Sequence, residues 1–211
     1  MSSISFVPTR AALLSMDLQS GIVSVYAKES DLVARAGNLL QKTRDAGLTI
    51  VHVRVGFRPG LPEIHPRNKL LGAIKTSQAH QQLFAGPSGE IHPAVAPQQG
   101  DLVVTKSRVN AFAATDLALL LRARDIDTLI LLGIATSGVV LTTALAAADE
   151  DYRLVIVKDC CTDLDQTVHA CLVERVFPKF ATMLTSDELL SMLEARSDEP
   201  MDTTSGRAPS V

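Results

Sequence analysis

Residues 128–151 read TLILLGIATSGVVLTTALAAADED, and no charged side chain occurs between Thr128 and Ala148. About 20 apolar residues suffice to span a bilayer, so the run must first be read against that possibility. Its composition argues otherwise. Thr128 to Ile134 is a short block of Leu, Ile and Thr, which suits a strand buried on both faces. Gly133, Thr136, Ser137 and Gly138 interrupt the run with turn chemistry. Val139 to Ala148 is small and Ala-rich, which suits a helix lying close against a sheet. The reading is strand, tight turn, buried helix. In an open parallel sheet that turn falls at the carboxyl end of the strand, where ligands bind, and the helix start offers free N–H groups to an oxyanion. A plain βα crossover without a site fits this segment equally well.

Outward from this unit, the same alternation recurs. Ala11 to Leu18 (AALLSMDL) is an apolar strand ending at Asp17, with Gln19, Ser20 and Gly21 as loop. Ser30 caps a helix over 31–46, and Gly47 stands at its C′ position. Leu48 to Val55 is a second strand. Residues 56–67, with three prolines and two glycines, form a loop. Residues 68–83 read as helix and 86–100 as a second long loop; loops of this length in a compact domain are usually functional. Asp101 to Thr105 is a third strand, followed by Lys106, and Thr115 or Asp116 caps the next helix. Arg153 to Lys158 is a fifth strand, with Asp159, Cys160 and Cys161 beyond its end. A helix over 165–177, a short strand over 181–185 and a helix capped by Ser186 complete the pattern. This is an α/β chain: a single-domain, doubly wound parallel sheet of about six strands in a Rossmann-like three-layer αβα arrangement. The expected domain covers 1–196, and 197–211, polar and rich in Pro, Gly and Ser, reads as a disordered tail.

Bulk composition narrows the function. With 211 residues, 46% of them hydrophobic, one core of good size is expected. A net charge of −3 and 4% aromatics with no Trp give no electrostatic or stacking case for nucleic acid or an anionic membrane. No secretory leader pattern opens the chain. Three cysteines, an odd number with two of them adjacent, point to a reducing, cytoplasmic compartment. No GxGxxG follows the first strand, so no dinucleotide cofactor is expected.

In a doubly wound sheet, strand carboxyl ends share one crevice. Those ends deliver Asp17, Arg54 with Phe57 and Arg58 beyond it, Lys106, and the Ala135–Val139 turn. A carboxylate and an ammonium held together in a partly dry crevice can move a proton. They can equally be a structural ion pair or two solvated loop charges.

Three segments resemble the isochorismatase-like, or cysteine hydrolase, family: MDLQSGIV (16–23), KSRVNAFAATDL (106–117) and LLGIATSGVVLTTALAA (131–147), with a weaker match at VKDCCTD (157–163). The resemblance implies Asp17 as general acid/base, Lys106 as its partner, and an oxyanion-binding turn at Ile134, Ala135 and Gly138 with a cis bond between Ile134 and Ala135. It also implies a small-molecule substrate, no cofactor, and a homodimer or homotetramer. Gln19, Arg54, Phe57, Asn110 and Phe112 are the candidate substrate-lining residues, with Arg54, Arg58 or Arg67 as a clamp for a substrate carboxylate.

One position departs from the family pattern. Most such hydrolases resemble G-x-x-T-x-x-C, with the nucleophilic Cys in the first turn of the helix. Here Val139 stands in its place, as a small glycine does in isochorismatases, which cleave a vinyl ether by acid catalysis. The expectation is therefore a hydrolase of a small, carboxylated molecule that uses Asp17 and Lys106 without a cysteine. A catalytically silent small-molecule-binding or oligomeric homologue is the first alternative. The second is an amidase whose nucleophile has moved to Cys160, Cys161 or Ser137, the last in Ser–Asp–His order with Asp159, Asp163 or Asp165 and then His169. No metal is expected. The nicotinamidase type resembled here places a D-x-H after strand two, whereas this chain has Arg54, Val55 and Gly56, and its histidines (52, 65, 80, 92) are scattered.

Overall fold

The structure, a computed structural model, describes residues 6–28 and 30–197. Six strands form one sheet: β1 (Ala11–Met16), β2 (Thr49–Val55), β3 (Leu102–Lys106), β4 (Thr128–Ile134), β5 (Arg153–Thr162) and β6 (Thr182–Leu184). All pairings are parallel, in the order β3-β2-β1-β4-β5-β6. Every residue of β1 and β4 is buried, as expected of central strands covered on both faces.

The chain starts in the middle, winds outward through β2 to β3, returns to β4, and winds outward again to β6. Right-handed crossovers in the two directions put α2 (Leu32–Asp45) and α6 (Leu141–Asp149) on opposite faces. The last helix, α8 (Ser186–Ser197), packs beside α2. The reversal lies between β1 and β4, and the crevice outside their carboxyl ends is where a doubly wound sheet binds ligands. Gly133 closes that end of the pair. Its φ is +146°, and an added Cβ would strike the Met16 carbonyl of β1.

Local signals explain most boundaries. Ser30 Oγ accepts from Leu32 N at 3.0 Å at the start of α2, and Gly47 beyond its end has φ +82°. Asp159 takes both Ser186 N (2.8 Å) and Ser186 Oγ (2.7 Å) at the start of α8.

Several expected boundaries are corrected. Residues 19–21 are not loop throughout: α1 (Ser20–Tyr26) begins directly after Gln19. The single helix expected over 68–83 is two, α3 (Lys69–Thr76) and α4 (Gln78–Gln82), because Ser77 is extended and its side chain caps α4. The helix after β3 is α5 (Leu117–Arg122). The helix after β5, α7 (Gln166–Cys171), passes into a wide turn at Leu172–Val176. β5 runs on to Thr162, because after a register break it rejoins β4 at Gly133↔Cys161 and Ile134↔Thr162. Cys160 and Cys161 thus lie within a strand rather than beyond one. No described helix is long and apolar enough to cross a membrane. The tail expected over 197–211 lies outside the described residues from residue 198 on, and Ser197 ends α8.

Candidate active site

Asp17 follows the last residue of β1 and has φ +58°, a left-handed backbone that a non-glycine residue adopts at a cost of about 1–3 kcal/mol. Its amide donates to Val53 O of β2 at 2.8 Å. Lys106, the last residue of β3, lies on the far side of β2, so its stem crosses the end of that strand to reach the carboxylate. Lys106 Nζ donates to Asp17 Oδ2 at 2.8 Å and to the Arg108 carbonyl at 3.0 Å. Both side chains are buried. The second carboxylate oxygen, Asp17 Oδ1, is buried and has no hydrogen-bond partner among the described residues.

An unpartnered oxygen on a buried carboxyl group is costly, and burial sets its acidity. Loss of water pushes the Asp17 carboxyl above its ordinary range, while the charge and hydrogen bond of Lys106 pull the other way and do not cancel the rise.

The pair opens onto a cavity of about 300 Å³. One wall is the β4 turn: Ile134, Ala135, Gly138 and Val139. The Ile134–Ala135 peptide bond is cis. The facing wall is built by α1 (Ile22, Tyr26), by Leu71 and Ile74 of α3, and by Leu83 and Phe84 after α4. Val139 is buried, and its side chain forms part of the wall without closing the space.

The turn is fastened by Asp163, which follows β5, and by His169 of α7. Asp163 Oδ2 accepts from Ser137 N and from Ser137 Oγ, both at 2.7 Å, and Thr136 Oγ1 lies 2.8 Å from His169 Nδ1. Gly138 N donates to Ala135 O at 3.1 Å. The Gly138 amide is therefore already satisfied within the turn, contrary to its expected place as an oxyanion donor.

Of the five residues expected to line the substrate, only Phe57 does, with its ring edge-to-face on Phe84 at 5.8 Å. Gln19 is wholly buried and holds backbone together. It bonds Val55 N (2.7 Å), Val55 O (3.0 Å) and Gly89 O (2.7 Å). Arg54 is drawn off by Glu90 at 2.8 Å and Arg58 by Glu63 at 2.7 Å, while Arg67 turns to His65. None of the three lines the cavity beside Asp17. Asn110 accepts from Phe112 N in its own turn, and the Phe112 ring lies against Tyr152 at 6.1 Å.

The alternative nucleophiles fare no better. Ser137 is exposed, absent from the cavity wall, and bound to Asp163 rather than to His169. Cys160 and Cys161 are buried in β5. Burial pushes the Cys161 thiol up to about 12 and the Cys160 thiol well above its ordinary value, so neither supplies a thiolate near neutral pH. Among the described residues no group of three or more His, Cys, Asp or Glu is placed to hold a metal ion.

Sequence reading passed over Tyr26, Arg108, His80 of α4, the apolar residues of α3, and Leu83 and Phe84 after α4, all of which line the cavity. Arg108 lies inside one of the quoted motifs, two residues from Lys106, and that proximity was the available signal. The lining residues of α3 carry no chemistry of their own, and only the path of the chain brings them to the site.

A family model described as Isochorismatase domain matches residues 11–188. Among curated proteins, the chain is 29% identical over 189 residues to maleamate amidohydrolase of Pseudomonas putida, covering 87% of each chain. It is 31% identical over 193 residues to the uncharacterized isochorismatase family protein YecD of Escherichia coli O157:H7, covering 86% of this chain and 95% of that one. Among solved structures, an isochorismatase family protein from Burkholderia thailandensis superposes with a TM-score of 0.74 at 28% identity. That match covers 88% of this chain and 96% of the other.

Proposed function

Because the chain belongs to the isochorismatase family, whose members are hydrolases, we propose that it hydrolyses a small, carboxylated molecule by acid catalysis from Asp17, with no covalent enzyme intermediate. The observation that carries this reading is Asp17 Oδ1, buried and without a hydrogen-bond partner among the described residues, on a side chain that lines an open cavity. Burial pushes the Asp17 carboxyl above its ordinary range, the direction a general acid needs. Lys106 on the other oxygen stabilises the carboxylate left once that proton has gone.

For an enol ether, the Asp17 proton goes to the terminal alkene carbon, leaving an oxocarbenium ion. Water adds to that cation and returns a proton to Asp17. The hemiketal then collapses to a ketone and an alcohol, so one water is consumed and the acid is regenerated. Val139 supplies a wall but no nucleophile, and this sequence asks nothing more of it. The cavity beside Val139 remains open, so this side chain leaves room for a substrate next to Asp17.

The test is turnover of small enol ethers in D₂O, with the product and the intact protein both weighed by mass spectrometry. One deuterium on the carbon next to the new carbonyl and an unmodified protein mass are expected. A transient protein adduct equal to part of the substrate contradicts the reading.

A further inference from the structure

We propose that Arg108 is the anion anchor of this cavity and sets its specificity for a molecule with one carboxylate on an apolar, planar body; the inference rests on the cavity beside Asp17 being the substrate site. Three charged side chains line that cavity: Asp17, Lys106 and Arg108. Lys106 is engaged by Asp17 at 2.8 Å. Arg108 is a cation with no acidic partner among the described residues, whichever protonation state Asp17 holds.

The state of the Arg108 guanidinium points the same way. Arg108 is half-buried, and the hydrogen bond its side chain shows is a single one, Nη1 to the Ser107 carbonyl at 2.6 Å. Among the described residues it makes no ion pair. Arg54 at the end of β2 and Arg58 in the loop after it are matched by Glu90 and Glu63. A guanidinium carries five N–H donors in a planar fork suited to a carboxylate. In a partly dry wall its remaining donors favour an anion over water.

Position reinforces this. Lys106 Nζ donates to the Arg108 carbonyl, so the backbone that carries the anchor is tied to the ion pair that carries the proton. A carboxylate on the Arg108 fork would orient the rest of the molecule relative to Asp17 Oδ1. That remainder meets Ile22, Leu71, Ile74, Phe84, Ile134 and Val139, an apolar surround that favours an unsaturated or aromatic body.

The test needs no turnover, so it stands apart from the fate of the acid mechanism. Benzoate, benzamide and phthalate are titrated into the full chain, read by ¹H–¹⁵N NMR, with wild type, Arg108→Met, Arg108→Lys and Arg54→Met. In wild type and Arg54→Met, benzoate is expected to shift the Val109, Ala135 and Val139 amides, and phthalate to bind no more tightly than benzoate. Arg108→Met should weaken benzoate at least tenfold and leave benzamide unchanged, with Arg108→Lys in between. Equal benzoate affinity in Arg108→Met, or no shift at those amides in wild type, overturns the proposal. So does tighter binding of phthalate, which would mean a second anion site. Asp17→Asn, titrated alongside, should still bind benzoate: loss of the acid then leaves the anchor standing, and loss of the anchor leaves the acid chemistry to be judged by itself.

Discussion

Lys106 Nζ and Asp17 Oδ2 lie 2.8 Å apart, both side chains buried, although the strands that carry them are not neighbours in the sheet. The lysine crosses the end of β2 to make the contact, and only one oxygen of the carboxylate receives it. Removing one member of such a pair leaves a buried charge without compensation.

Lys106→Met should therefore destabilise the protein by about 3–5 kcal/mol at pH 8. The loss should shrink toward pH 4, because Asp17 can then take up a proton and cease to be a buried charge. Denaturant unfolding at the two pH values measures both effects.

Asp17 also gives a pH dependence of definite sign. Its folded carboxyl is raised above the unfolded value. The folded state therefore keeps its proton after the unfolded state has released it. The resulting stability is fully present below the ordinary carboxylate range, about pH 4, and is lost as pH rises through the folded value. Asp17→Asn lacks this term. Its stability relative to wild type should improve between pH 4 and pH 8. A constant difference across that range would contradict the raised pKa of Asp17.

The cysteines should divide sharply. Cys171 is exposed, whereas Cys160 and Cys161 are buried thiols in β5. Iodoacetamide at pH 7.5 should label Cys171 alone in the folded protein and all three after denaturation. Fast labelling of Cys160 or Cys161 would reopen the cysteine chemistry that burial closes off.

Ser137→Ala removes one hydroxyl hydrogen bond to Asp163 but keeps the amide bond to the same oxygen. The expected cost is about 1 kcal/mol of stability, with turnover within about threefold of wild type. A loss of 10³-fold or more, the scale seen on removing a nucleophile, would make Ser137 the attacking group.

Much of this arrangement was readable from the chain. The apolar block 128–134 and the Ala-rich helix after it fixed the central strand and its turn, because β4 is buried along its whole length and its composition shows this directly. Asp17 and Lys106 stood out as the polar residues that close apolar strands. Contacts between distant loops were not readable. Arg54 looked available for substrate until Glu90, 36 residues later, was seen to hold it. The opening of α1 was hidden by its own turn-like residues. Gln19 hydrogen-bonds to Val55 and Gly89 across the fold, and Gly21 is needed because a Cβ there would strike the backbone of Leu83. Cys160 and Cys161 were misplaced because the strand appeared to end at Lys158. A register break near Leu131 lets it continue and pair again with β4.

The most direct measurement is kcat/KM of wild type and Asp17→Asn on one panel of small enol ethers, amides and N-carbamoyl compounds. Turnover of an enol ether that falls by about 10²–10⁴-fold in Asp17→Asn is the expected result for a lost general acid. Turnover of any member of the panel that survives unchanged in Asp17→Asn would contradict the assignment of Asp17 as the acid.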